Sequence, residues 1–239
     1  MAKTVHETPP QARSRPGLAS MFAQHRFLLL FLFLLATLIA YPYAEKSGAG
    51  YYVFRLLGSA IIGLSVYVVS FRRGLAVVTI LLAIPALVQH LLHPRADASI
   101  LALINLMLTF AFDLWILVAI FRRVFARIQI TSETIFAALC IYLLNGLSFA
   151  SIYGLVATLQ PSAFLLDPAL NRHTVPDRFD FIYYSFGMMT QLGAAGITAV
   201  SDQARSLSVI EAVLGQLYLA VLISRLVGAY RTHAPSEGQ

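Results

Sequence analysis

The chain has 239 residues and a formal net charge of +6, with 59% hydrophobic residues, 12% charged residues and a mean hydropathy of +0.76. Soluble domains carry about 25% charged residues, so this composition excludes an ordinary soluble protein and predicts a membrane protein. The single cysteine, Cys140, lies in an apolar segment and excludes a disulfide framework or a cysteine-based metal site. The basic residues stand at the ends of apolar segments, so we expect no nucleic acid as a partner.

Apolar segments of the length needed to cross about 30 Å of hydrocarbon recur along the chain. We predict an all-α membrane protein with six transmembrane helices, at 26–44, 51–71, 74–92, 99–121, 133–158 and 203–229. The polar residues 1–20 predict a disordered N-terminal tail, and residues 231–239 a short C-terminal tail. Between the tails we expect a four-helix module over 21–121, an interfacial linker helix over 122–132 and a second module over 133–230.

Six spans would place both termini on the same side of the membrane. Eleven of the 17 Lys and Arg residues fall on that side and six on the other. Because Lys and Arg accumulate in cytoplasmic loops, both termini are predicted to be cytoplasmic. The sequence therefore predicts a multi-pass protein of the cell's inner (plasma) membrane, in contact with membrane lipid.

The segment between the last two predicted spans, DFIYYSFGMMTQLGAAGIT from Asp180 to Thr198, has an unusual pattern. A helix over 179–189 is too short to cross a bilayer, and Asp180 at its start can cap its free N–H groups. Residues 190–198 contain two glycines and no charge. Such a segment suits irregular backbone at membrane depth, which is tolerated where protein or water surrounds it. The pattern predicts a re-entrant pore helix and loop.

This segment and the residues after it resemble the pore module of potassium channels, especially small bacterial six-span channels. Those channels typically read TTLGYGDITPVS and then ARSLAVLEAxxGQLYLAVLxARLVG. Here the matching text is TQLGAAGIT at 190–198, ARSL at 204–207, EA at 211–212, GQLYLAVL at 215–222 and RLVG at 225–228. The resemblance covers 133–230 and implies an ion channel. It implies a selectivity filter formed by Thr190, Gln191, Leu192, Gly193, Ala194, Ala195 and Gly196.

The filter departs from the family pattern at four positions. Gln191 stands where the family has threonine, Ala194 where it has tyrosine, Ala195 where it has glycine and Gly196 where it has aspartate. In the family, rings of carbonyl oxygens replace the hydration shell of the ion. A non-glycine residue with positive φ costs about 1 kcal/mol or more, so a standard four-site filter is not expected. Three alternatives remain: a wider, weakly selective cation path with four Gln191 amides, a collapsed loop that does not conduct, and a filter altered deliberately.

Five residues outside the filter are candidates for supporting roles. Glu211 lies at pore-helix depth in the last span and is predicted, with Asp180, to support the filter. Gly215 is either a gating hinge or a site of close helix packing. Asp113, a carboxylate inside the fourth span, either makes a structural hydrogen bond or acts as a proton-sensitive switch. Arg225 either extends to the membrane interface or rings the inner mouth of the pore.

The remaining patterns exclude several other functions. The fourth span has no regularly spaced arginines, so the usual voltage sensor is not expected. His90, His93 and His173 lack a convincing further ligand, so no metal site is predicted. No nucleophile–base set is present, so the chain is not expected to be an enzyme.

We expect no cofactor other than K⁺ or Na⁺ in the pore. One pore module cannot close a central path, so the predicted assembly is a homotetramer that passes monovalent cations, with a non-conducting channel-like structural protein as the alternative.

Overall fold

The computed structural model describes residues 25–44, 48–70, 73–92, 100–126, 131–171 and 173–233. The predicted N-terminal tail lies outside these residues. Of the predicted C-terminal tail over 231–239, residues 231–233 are helical, which corrects its start, and residues 234–239 lie outside the described chain. His93 and the side chain of His90 also fall outside the described part of the chain.

The described residues form seven helices and one small sheet. The helices are α1 Arg26–Ala44, α2 Gly48–Val69, α3 Arg73–Leu92, α4 Ile100–Phe125, α5 Ser132–Leu159, α6 Arg178–Met189 and α7 Asp202–His233. Strand β1, Phe164–Leu166, pairs antiparallel with β2, Ile197–Ala199. The helical prediction is confirmed, and each predicted span overlaps one helix. The sheet corrects the all-α prediction, because strands of three residues are too short to show an alternating pattern in the sequence.

Two of these helices are long and apolar enough to cross a membrane. They are α5, over Ser132–Leu159, and α7, over Asp202–Gly228. Shorter apolar stretches occur at Arg26–Ala40, Leu56–Val69 and Gly74–Val88. Since a spanning helix needs about 20 apolar residues, these shorter stretches do not qualify by themselves. The described residues therefore support two of the six predicted spans.

The junction between α4 and α5 differs from the predicted linker helix over 122–132. Its first residues, Arg122–Phe125, continue α4, and residues 127–130 lie outside the described chain. Two arginines lie in the last turn of α4, at the negative end of the helix dipole. Their positive charges stabilise this turn as part of the helix. Helix α5 begins after Thr131, which forms a capping box with Thr134. Thr131 is therefore the N-cap of α5.

Two clusters of buried side chains hold the helices together. The first joins α1–α5 and includes Leu30, Ile116 and Cys140, each at most 1% exposed. Cys140 is buried and free, and its thiol donates to the carbonyl of Phe27 at 3.4 Å. The second cluster joins α5, α6 and the sheet around Tyr153 and Phe164. This second cluster fixes the short helix α6 beside α5.

Candidate functional site

The short helix α6 is the first element of the candidate site. It has 12 residues, about 18 Å at the rise of an α-helix, so it is too short to cross a membrane. Asp177 is its N-cap: Oδ1 accepts the N–H groups of Phe179 at 2.7 Å and Asp180 at 3.0 Å. Asp180 accepts the N–H of Asp177 at 2.8 Å and completes a capping box. Asp180 thus caps a free N–H at the start of the helix, as predicted, while the N-cap residue itself is Asp177 and the helix starts one residue earlier than predicted.

Aromatic rings place α6 against α5 and β1. Phe181 and Tyr184, three residues apart on α6, lie on the same face of that helix. Both meet Phe164 of β1 edge to face, with ring centroids 5.1 and 5.4 Å apart. Tyr184 also meets Tyr153 of α5 at 5.1 Å. Edge-to-face pairs at these separations are favourable beyond simple burial, so the four rings fix the orientation of α6.

Glu211 joins the three helices of the site behind α6. Its side chain is fully buried, and its carboxyl group accepts hydrogen bonds from the hydroxyls of Tyr153 on α5, at 2.6 Å, and Ser185 on α6. A second link joins Tyr184 and Ser208, whose hydroxyl oxygens lie 2.7 Å apart. A buried carboxyl group is costly unless it is hydrogen-bonded, so these partners keep Glu211 in place. The structure thus places Glu211 against α6; its role in supporting an ion filter stays a prediction.

Two glycines allow the backbone to approach α6 closely. A Cβ atom on Gly215 would lie 2.6 Å from Cγ of Met189 and 2.8 Å from the carbonyl oxygen of Met189. A Cβ atom on Gly187 would collide with the carbonyl oxygen of Gly193. Helix α7 runs through Gly215 without a break. Of the two roles considered for Gly215, close packing therefore has structural support, and the hinge stays a prediction.

The loop after α6 folds back on the end of that helix. The Thr190 hydroxyl donates to the Phe186 carbonyl at 2.6 Å, and the Gln191 side-chain amide donates to the Met188 carbonyl at 3.3 Å. The N–H of Gly193 donates to the Gly187 carbonyl at 3.0 Å. These bonds satisfy carbonyl groups that the end of a helix leaves free.

Three residues of the loop have positive φ: Gln191 at 63°, Gly193 at 80° and Gly196 at 88°. The sequence predicted this backbone region for glycines, and Gly193 and Gly196 adopt it without a steric cost. Gln191 was not predicted to adopt it. A side chain in this region costs about 1–2 kcal/mol, so the surrounding bonds must hold Gln191 in place.

The carbonyl groups in the second half of the loop turn toward the protein. The Gly193 oxygen packs against Gly187, and the Ala194 oxygen accepts the N–H of Ile197 at 3.4 Å. The Gly196 oxygen accepts two bonds, from the N–H of Asp167 at 2.9 Å and the side-chain amide of Asn171 at 2.6 Å. The predicted filter residues therefore share one loop, in which the carbonyls of Gly193, Ala194 and Gly196 each contact another group of the protein. Thr190, Gln191, Leu192 and Ala195 are exposed, and Leu192 is 81% exposed.

The sheet connects the loop to the segment before α6. Phe164 pairs with Ala199, and the N–H of Val200 donates to the Ala163 carbonyl at 2.8 Å. The sequence analysis did not identify Asn171 as a site residue. Asp and Asn favour turns, which would have indicated a turn at 167–171, but no sequence signal identified Gly196 as its partner.

Residues of metal-ligating type meet at the start of α6. His173 Nε2 lies 2.7 Å from Oδ2 of Asp180, and the ligand atoms of His173, Asp177 and Asp180 lie within 4.8 Å of one another. The sequence analysis considered His173 only with His90 and His93. The structure places His173 beside two carboxylates that already cap α6. The close spacing of His173, Asp177 and Asp180 in the sequence was the signal that could have indicated this cluster.

Two basic residues, Arg178 and Arg225, lie near α4. A cavity of about 280 Å³ between α4, α5 and α6 is lined in part by Thr109 and Arg178. Asp113 lies on α4 with a half-buried side chain, and the described residues show no hydrogen bond from it, so its role stays a prediction. At the other end of α7, the guanidinium of Arg225 lies 5.0 Å from the ring centroid of Phe125. Arg225 therefore contacts α4, which neither interpretation of this residue predicted.

The likeness of residues 133–230 to a potassium-channel pore module depends on the sequence motifs given above. No protein-family model matches the chain, and comparisons with curated proteins and with solved structures give no significant match.

Proposed function

We propose that the chain is a subunit of a homotetrameric, potassium-channel-like cation channel with altered selectivity. The observation that carries the proposal is a short capped helix between two membrane-length helices, followed by a loop that folds back on its end. The C-terminal end of a helix carries partial negative charge, which favours a cation in front of it. In this proposal α6 is the pore helix and residues 190–196 form the narrow part of the path.

The loop favours weak selectivity over a potassium-specific filter. The carbonyls of Ala194 and Gly196 already accept hydrogen bonds within the protein, and the Gly193 oxygen lies against Gly187, so in this proposal they do not replace the hydration shell of an ion. The exposed polar side chains near the end of α6 include that of Gln191. Four such amides, one from each subunit, would meet a partly hydrated cation. We therefore expect K⁺ and Na⁺ to pass with similar ease.

The surface of α7 supports assembly with other copies. Only 17% of the residues in its most apolar stretch are buried within the chain. The exposed apolar side chains are Val209, Ile210, Val213, Leu214, Leu217, Val221, Ile223 and Val227. In a channel of this kind, lipid and neighbouring subunits cover such a helix. The four-helix module, the six spans and cytoplasmic termini in a plasma membrane belong to the same proposal.

A second candidate is a channel-like structural protein that does not conduct. The exposed Leu192 favours it, because an apolar side chain at the tip of the loop would close a narrow path by excluding water. In this alternative the pore loop serves assembly alone.

Flux from liposomes separates the two candidates. Purified tetramer is reconstituted and the release of K⁺ and of Na⁺ is measured separately, with Gln191→Leu as a variant and Val175→Ala as a control on the outer segment. We expect both ions to pass through the wild type and Gln191→Leu to reduce both fluxes. A well-folded tetramer that passes neither ion would contradict the channel and support the structural protein.

A further inference from the structure

The segment before α6 forms a compact turn around Asp167. The Asp167 carbonyl accepts the N–H groups of Leu170 at 3.1 Å and Asn171 at 3.0 Å. The Asp167 carboxylate accepts the N–H of Ala169 at 2.9 Å. These bonds fix the backbone of Asn171 within the turn.

The Asn171 amide uses both of its N–H groups. Nδ2 donates to the Asp167 carbonyl at 3.0 Å within the turn and to the Gly196 carbonyl at 2.6 Å in the loop. The same Gly196 oxygen accepts the N–H of Asp167 at 2.9 Å. A carbonyl oxygen has two lone pairs, so this pair of donors occupies its full capacity. The Gly196 oxygen therefore has no lone pair left for an ion.

The packing of Asn171 against Gly196 also leaves little room for a side chain at position 196. A Cβ atom on Gly196 would lie 2.9 Å from Nδ2 of Asn171 and 3.3 Å from Cβ of Leu170. Gly196 has a φ of 88°, which disfavours any side chain at this position. Asn171 thus occupies the space that a side chain on residue 196 would fill.

We propose that Asn171 is a positioning residue that anchors the outer end of the pore loop and thereby sets the ion preference of the path. This inference rests on the proposed channel function. Asn171 holds the Gly196 carbonyl away from the path, while the bond from Gly193 to Gly187 holds the inner end of the loop. Ala194 and Ala195 lie between the two anchored ends.

Two variants of the full-length tetramer test the anchor. Asn171→Asp keeps the size of the side chain, removes both donors and adds a charge. Asn171→Ala removes the donors without adding a charge. Val175→Ala, at a 75% exposed position of the same segment, is the matched control. The two readouts are the K⁺/Na⁺ flux ratio in liposomes and hydrogen exchange at the N–H of Asp167.

We expect Asp167 exchange to rise about tenfold in both Asn171 variants, as when a hydrogen bond of ordinary strength is lost, and to stay unchanged in the control. We also expect the flux ratio to shift in both variants while the tetramer stays intact. An unchanged exchange rate would overturn the proposal, because it would show that Asn171 does not hold the loop. A flux that falls at a constant K⁺/Na⁺ ratio would also overturn it, because the loss of a merely structural residue has that effect. If the wild-type tetramer passes neither ion, the proposed function fails, and exchange alone decides whether Asn171 is the anchor. Should one variant fail to assemble, the other gives the same two readouts.

Discussion

The hydroxyl of Tyr153 lies 2.6 Å from Oε2 of Glu211, and this contact joins α5 to α7 behind the short helix α6. Neither side chain has an appreciable exposed surface. The other oxygen of the same carboxyl group accepts a bond from Ser185 on α6. One buried carboxyl group thus links the three helices of the candidate site.

Removing this link should destabilise the protein. We expect Tyr153→Phe to lower the free energy of unfolding by about 1–3 kcal/mol, because it leaves a buried acceptor unpaired. Tyr183→Phe, at an exposed position of α6, should have almost no effect. Denaturant unfolding in detergent measures both variants. In a double-mutant cycle, Tyr153→Phe and Glu211→Gln should lose less together than the sum of their separate effects; additive losses would contradict the contact.

Gly215 and Gly228 offer a matched comparison on one helix. Gly215→Ala should cost about 1–3 kcal/mol, because its Cβ would overlap Met189 at the end of α6. Gly228→Ala meets no atom within 4 Å and should gain up to about 1 kcal/mol from helix propensity. Thermal unfolding of both variants measures the difference. If Gly215→Ala instead leaves stability unchanged and alters only the opening of the channel, the hinge interpretation of Gly215 is correct.

Gln191 has a strained backbone, so we expect its replacement by glycine to stabilise the protein, whereas most substitutions destabilise a protein. Gln191→Gly removes a side chain from the positive-φ region and should raise stability by up to about 1 kcal/mol. The same change removes the amide that we propose to face the cation, so the flux ratio should change in parallel. Thermal unfolding and liposome flux on one preparation test both effects. A loss of stability would show that the bond from the Gln191 side chain to Met188 outweighs the strain.

Restoring the family pattern in the filter tests the scaffold. The variant combines Gln191→Thr, Ala194→Tyr, Ala195→Gly and Gly196→Asp, and we expect it to prefer K⁺ over Na⁺ more strongly than the wild type. The new side chain at position 196 would displace the Asn171 amide. We therefore expect Asn171→Ala, added to the four changes, to raise the melting temperature. A lower melting temperature would mean that residue 196 and Asn171 do not compete for the same space.

The helices could be predicted because their signals are long and local. The predicted first residues of α5, α6 and α7 lie within one residue of those in the structure. The length of each apolar segment and capping residues such as Thr131 mark these positions. The sheet could not be predicted, because each strand has three residues and pairs across more than thirty positions. The contact between Asn171 and Gly196 could not be predicted for the same reason, because it joins residues 25 positions apart. The left-handed backbone of Gln191 depends on the fold around it, and its residue type gave no signal.

The attachments at the two ends of the pore loop have a consequence for its length. The bond from Gly193 to Gly187 fixes one end, and the bonds to the Gly196 carbonyl fix the other. Only Ala194 and Ala195 lie between these points, so an inserted or deleted residue could not be absorbed without breaking one attachment. A substitution at 194 or 195 leaves this spacing unchanged, whereas an insertion or deletion does not. We therefore expect functional variants of this loop to differ by substitution at a constant spacing.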